Sequence, residues 1–137
     1  FTAMYMIFDE NDREIVGPVK KIKHDSPEEE EFEEGNLKHA INGFIFGNLQ
    51  GLEMTKGDRV RWHLIGMGTE VDLHTAHWHG KTVLDHGRRT DVVELLPTSM
   101  RSVDMRADNP GNWLFHCHVT DHISAGMLTR FKINPKK

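Results

Sequence analysis

The stretch HCHVTDHISAGM, residues 116–127, sets the chain's only cysteine between two histidines. A third histidine follows Cys117 at +5 and a methionine at +10. A second stretch, HTAHWHG, carries His74, His77 and His79, so two triplets hold six of the ten histidines. The other four, His24, His39, His63 and His86, stand singly. Scattered surface or core histidines would rarely cluster in this way around one cysteine, and the pattern points to bound metal. A structural zinc site would call for further cysteines at C-x₂-C spacing, and none exist. One thiolate, two imidazoles and a weak axial thioether instead match a type 1 copper centre. Cys117, His122 and Met127 supply three of those donors, and His74 is the best candidate for the fourth. A methionine alone packs in a core more often than it ligates; its offset from the Cys–His pair favours the ligand reading.

Strand geometry then gives the flanking histidines a different direction. Neighbouring residues on a strand face opposite ways. If Cys117 points into one site, His116 and His118 point away from it. His77 and His79 are also two apart and share a face, while His74 sits at an odd offset from both. The chain therefore encodes one complete mononuclear site and four histidines aimed at something else.

Short strand-like runs separated by Gly, Asn and Pro fill the rest: MYMIFD, INGFIFGN, DRVRWHLIGMG, TEVDLHTAHWHG, RTDVVELLP, RSVDMRA, NWLFHCHV and MLTRFKI. Val60, Trp62 and Leu64 alternate with Arg61 and His63, the pattern of a half-buried strand. The expectation is an all-β antiparallel sandwich. Residues 25–35, DSPEEEEFEEG, read as a solvated loop or a short exposed helix. At 137 residues the chain is expected to be a single domain. A net charge of −4 argues against nucleic acid, and no apolar run approaches the ~20 residues of a membrane helix. One cysteine leaves the redox compartment open. The start at Phe1 and the lack of a signal-peptide pattern lead us to expect a mature product or a piece of a longer protein.

These motifs resemble those of multicopper oxidases. HTAHWHG is similar to their H-x-x-H-x-H-G motif and HCHVTDHISAGM to their H-C-H-x₃-H-x₄-M motif. The likeness extends to HAINGFIFGNLQGL, GDRVRW, LIGMG and EVDLHTAH, over roughly residues 30–133, and is nearest the ceruloplasmin and hephaestin branch. It implies a Greek-key cupredoxin β-sandwich spanning 1–137, one domain of a larger multidomain or oligomeric oxidase. It also implies type 1 copper on His74, Cys117, His122 and Met127, type 2 copper on His77, and a type 3 pair held by His79, His116 and His118. Lys81 departs from the family, which often has histidine there, at a position that is not a ligand.

The family's trinuclear cluster takes eight histidines, four from each of two domains, and this chain has four suitably placed. The complement must come from another cupredoxin domain or a neighbouring subunit; a homotrimer is one such assembly. The implied activity is electron transfer from a reducing substrate to type 1 copper, then through Cys117 to His116 and His118, with dioxygen reduced to water at the completed cluster. Oxidase activity would belong to the assembly. In the ceruloplasmin branch the substrate is ferrous iron, and the resemblance puts its site at Glu34, His39 and Asp121. Each has an ordinary alternative: surface polarity for Glu34 and His39, a loop cap or a hydrogen bond orienting a ligand histidine for Asp121. An extracytoplasmic location is implied by the family alone. A stand-alone blue-copper carrier would leave His77, His79, His116 and His118 without a role. A non-enzymatic relic, as in coagulation cofactors, would have lost ligands, and copper nitrite reductases do not flank their cysteine with histidines on both sides.

Overall fold

In the strand Arg59–Gly66 (β4), Trp62 and Leu64 are buried while Arg61 and His63 face solvent, so the alternation in the sequence becomes the inner and outer face of a sheet. The computed structural model describes residues 1–11, 26–68 and 72–137. Asp12, His24, Asp25, Thr69, Glu70 and Val71 lie outside them. One sheet runs in the order β2 (Leu37–Ile41), β1 (Thr2–Asp9), β4 (Arg59–Gly66), β9 (Met100–Arg106), β6 (Val83–Asp85), β7 (Arg88–Thr90). The other runs β3 (Glu53–Thr55), β11 (Leu128–Asn134), β10 (Gly111–Cys117), β5 (His74–Trp78), β8 (Val92–Leu95). The chain passes repeatedly from one sheet to the other, which makes a Greek-key β-sandwich of the cupredoxin kind. Two pairings are parallel, β1 with β4 and β3 with β11.

The core is a single cluster drawn from both inner faces. Trp62 of one sheet meets Trp78, Phe115 and Phe131 of the other at ring distances of 5.8, 4.9 and 6.0 Å. Burying an aromatic of this kind contributes about 2–3 kcal/mol. Above this aromatic floor β5 and β10 pair side by side, with His77 opposite His116 and Ala76 opposite Cys117.

The acidic run is the helix α1 (Pro27–Gly35). Ser26 caps it by accepting from the Glu29 N–H at 3.3 Å, Pro27 opens it, and Glu28, Glu29 and Glu30 occupy the first turn, where the helix dipole favours negative charge. INGFIFGN, expected as a strand, is instead a run of turns with one isolated bridge, Ile41 to Phe44. Asn42, Gly43, Phe46 and Gly47 all have positive φ there, incompatible with a ladder. Its Phe44 and Phe46 are exposed rather than part of the core.

Candidate metal centres

Cys117 ends β10, and the chain then turns through the short helix α2 (Thr120–Ser124) before re-entering the sheet as β11. The turn is closed by two backbone bonds, Cys117 N–H to Met127 C=O at 3.0 Å and Met127 N–H to His122 C=O at 2.9 Å. Both are made within the ligand motif itself, so its spacing folds Cys117, His122 and Met127 onto one another. Gly126, at φ 108°, lets the Phe46 ring lie where a Cβ would come within 3.1 Å of it. All three residues are buried, Cys117 and Met127 completely.

His74 arrives from β5. Its Nδ1 lies 3.3 Å from His122 Nδ1, and that nitrogen is 3.6 Å from Cys117 Sγ. The three donor atoms fall within 4.8 Å of one another. Burial, then the neighbouring His122, lowers the His74 pKa to about 4, and burial also lowers that of His122. Both rings are neutral at neutral pH, with lone pairs to offer. Burial pushes the Cys117 thiol up, opposed by the Thr75 N–H, which donates to Sγ at 3.4 Å. Two facing imidazole nitrogens and a thiol kept protonated by burial form a donor set that a soft cation would complete: it would replace the shared proton and draw out the thiolate. The residues fit copper.

A second group lies on the other side of β10. His77 Nδ1 is 3.2 Å and His79 Nε2 is 2.9 Å from His116 Nε2, and these three form a set within 4.8 Å. The His118 ring stands beside them, 5.1 Å from His77 and 5.5 Å from His116. His116 Nδ1 donates to its neighbour's carbonyl, Cys117 O, at 2.6 Å. That bond fixes the tautomer and leaves Nε2 as a lone pair facing the other histidines. Burial lowers the pKa of both His77 and His116, with His79 adding to the effect on each. The two groups are thus separate in space but share the Cys117 backbone.

Residues 18–137 match the profile of the multicopper oxidase family. The chain is 45% identical to human ceruloplasmin over 141 residues, which is 97% of this chain and 13% of the relative. It is 43% identical to human hephaestin over 143 residues, 97% of this chain and 12% of the relative. The chain belongs to the multicopper oxidase family. It spans about an eighth of the length of these relatives. Among solved structures, a multicopper oxidase from Campylobacter jejuni superposes over 98% of this chain and 29% of its own, with a TM-score of 0.72 at 17% identity, a likeness of fold.

Of the expected iron ligands, His39 is buried and its ring packs on His122 at 4.8 Å. Neither of its nitrogens has a hydrogen-bond partner among the described residues, and Glu34 Oε1 stands 3.8 Å from Nε2. Burial lowers the His39 pKa, with Glu34, Asp72 and Asp121 acting against it. The same three carboxylates act on His122.

Sequence reasoning missed several residues that this multicopper oxidase chain brings to its sites. Asp72 is buried and acts electrostatically on His39, His74 and His122. Its place two residues before His74 was a usable signal, since period two puts both on one face. Tyr5 is fully buried, 5.7 Å from the His74 ring. Asp91 Oδ2 lies 3.7 Å from His77 Nε2. Lys81, the departure from the family pattern, is buried and paired with Asp108 rather than aimed at the histidines.

Proposed function

We propose that this chain is the type 1 copper domain of a larger multicopper oxidase, taking electrons from a reducing substrate and delivering them to a trinuclear cluster that a second cupredoxin domain completes. Copper, when bound, supplies one-electron redox chemistry at His74, Cys117, His122 and Met127, and dioxygen reduction where His77, His79, His116 and His118 meet their counterparts. The observation that carries the reading is the 2.6 Å hydrogen bond from His116 Nδ1 to Cys117 O. It gives Cys117 a second connection to His116 beside the covalent one, and the backbone also runs directly from Cys117 to His118. Both groups of donors are therefore linked through a few bonds of one strand. A stand-alone carrier has no use for the second group. No helix among the described residues is long and apolar enough to cross a membrane, and the extracytoplasmic placement is inherited from the family.

For the substrate we favour ferrous iron bound at Glu34, His39 and Asp121. The support is a buried histidine with unsatisfied nitrogens, a carboxylate 3.8 Å away, and ring contact with the ligand His122. Oxygen donors favour Fe(III) over Fe(II), which helps the electron leave. Asp121 sits next to His122 and would also tune the copper, so Glu34 gives the cleaner test. Stopped-flow bleaching of the copper-loaded protein by Fe(II) should be slowed about tenfold or more in Glu34→Ala, the effect of removing one charged ligand. An outer-sphere organic donor should reduce wild type and variant alike. Equal Fe(II) rates in the two proteins would exclude iron as the substrate at this site.

A further inference from the structure

A cavity of about 560 Å³ opens beside His77 and His79, and another of about 470 Å³ lies on the outer face of the six-stranded sheet. Arg89 and Arg106 line both, so the two meet as one groove leading away from the second histidine group. Its charges do not balance. Five cations, Arg59, Arg61, Lys81, Arg89 and Arg106, line it against three carboxylates: Asp108 pairs with Lys81, Asp104 is held by Arg61 through two bonds of 2.8 Å, and Asp91 faces His77. Arg59, Arg89 and Arg106 have no carboxylate at ion-pair distance among the described residues: Arg106 acts only at longer range on Asp108, which Lys81 already holds, and Arg89 donates to Thr82 Oγ1 at 2.9 Å. The β4–β9 register sets Arg59 directly opposite Arg106, a like-charge pair that disfavours the sheet unless an anion sits between or beside them. A chain of net charge −4 thus gathers surplus cations on one face.

We propose that this groove receives a carboxylate-bearing surface of the neighbouring cupredoxin domain. The inference rests on the reading that such a domain completes the cluster. To share metals with His77, His79 and His116, that domain must bring its own donors to within about 4 Å of theirs, two metal–nitrogen bonds of ~2 Å. The adjoining groove is then covered as well. Covering unpaired guanidinium groups is strongly unfavourable, and a carboxylate that meets the guanidinium fork with two hydrogen bonds removes the penalty. A free anion would neutralise the arginines but would leave the face beside the half-cluster open.

The test uses the full-length, copper-loaded protein that contains this domain. Arg89→Glu/Arg106→Glu should keep the blue absorption band, which reports this domain's own fold and type 1 site. It should lose most of the spin-coupled type 3 pair, and dioxygen consumption should fall about tenfold or more, in line with a buried interfacial charge made repulsive. Arg89→Gln/Arg106→Gln, which removes the charge without reversing it, should fall less. Arg88→Glu/Arg130→Glu, the same charge change outside the groove, should behave as wild type. A full type 3 pair and unchanged dioxygen consumption in the reversed variant would overturn the proposal while leaving the completed-cluster reading intact. Absence of a type 3 pair in the wild-type protein would overturn that reading and the proposal with it. Saturable binding of inorganic phosphate by wild type, lost in the reversed variant while its type 3 pair persists, would assign the arginines to a small anion and overturn the docking role.

Discussion

His116 makes its Nε2 available by spending its Nδ1 proton on the Cys117 carbonyl, and His74 stays neutral because burial and His122 bring its pKa to about 4. Preparation for metal is therefore built into single residues before any metal arrives, and it has a cost in the metal-free chain. The His74 pKa is lowered from 6.5 in the fold, and those of His77, His116 and His122 are lowered too. Unfolded chains take up protons that these buried rings refuse, so folding is favoured fully above about pH 6.5 and less so as pH falls towards about 4. Urea unfolding of the metal-free chain should show its midpoint dropping between about pH 7.5 and 5. His74→Gln, which cannot titrate, should flatten that slope. A midpoint that is constant or rises over the same interval would contradict the neutral-imidazole account.

The strands and turns convert those residues into sites, and here the sequence was legible only in part. β10, α2 and the start of β11 could be read because their spacing is local: Cys117, His122 and Met127 close on themselves by hydrogen bonds between their own backbones. β4 could be read because one face meets a core and the other meets water. INGFIFGN misled because Phe44 and Phe46 stay exposed, Phe46 lying over Gly126, and because positive φ at Asn42 and Phe46 bends the chain away from any ladder. β3 and β6 are three residues each, too short for periodicity to show. Asp108 is 27 residues from Lys81, so their pairing appears only once β6 and β9 are aligned. One turn offers a direct test. Gly80 has φ 65°, and a Cβ there would fall 2.2 Å from the Trp113 ring. Gly80→Ala should destabilise the fold by about 1–3 kcal/mol, from strain and forced repacking together. It should displace His79 from His116 while leaving His74, Cys117 and His122 in place. Thermal unfolding and metal titration would check this; a variant as stable as wild type would mean that the turn and Trp113 yield freely.

At the scale of the molecule, the sandwich holds two groups of potential metal donors on either side of one strand, and in the function proposed above only one of them is self-sufficient. The first group brings His74, Cys117 and His122 together in the buried interior, whereas the second presents three converging nitrogens and a fourth ring at an open face. Copper loading followed by optical and paramagnetic spectroscopy tests this division most directly. The chain by itself should bind one copper tightly and turn blue, with strong thiolate-to-copper absorption on the order of 600 nm. Cys117→Ser should lose that band while retaining the fold, and neither protein should show a spin-coupled copper pair. A colourless copper-loaded chain with His74, Cys117, His122 and Met127 intact, or a coupled pair formed by the chain without a partner domain, would contradict the account.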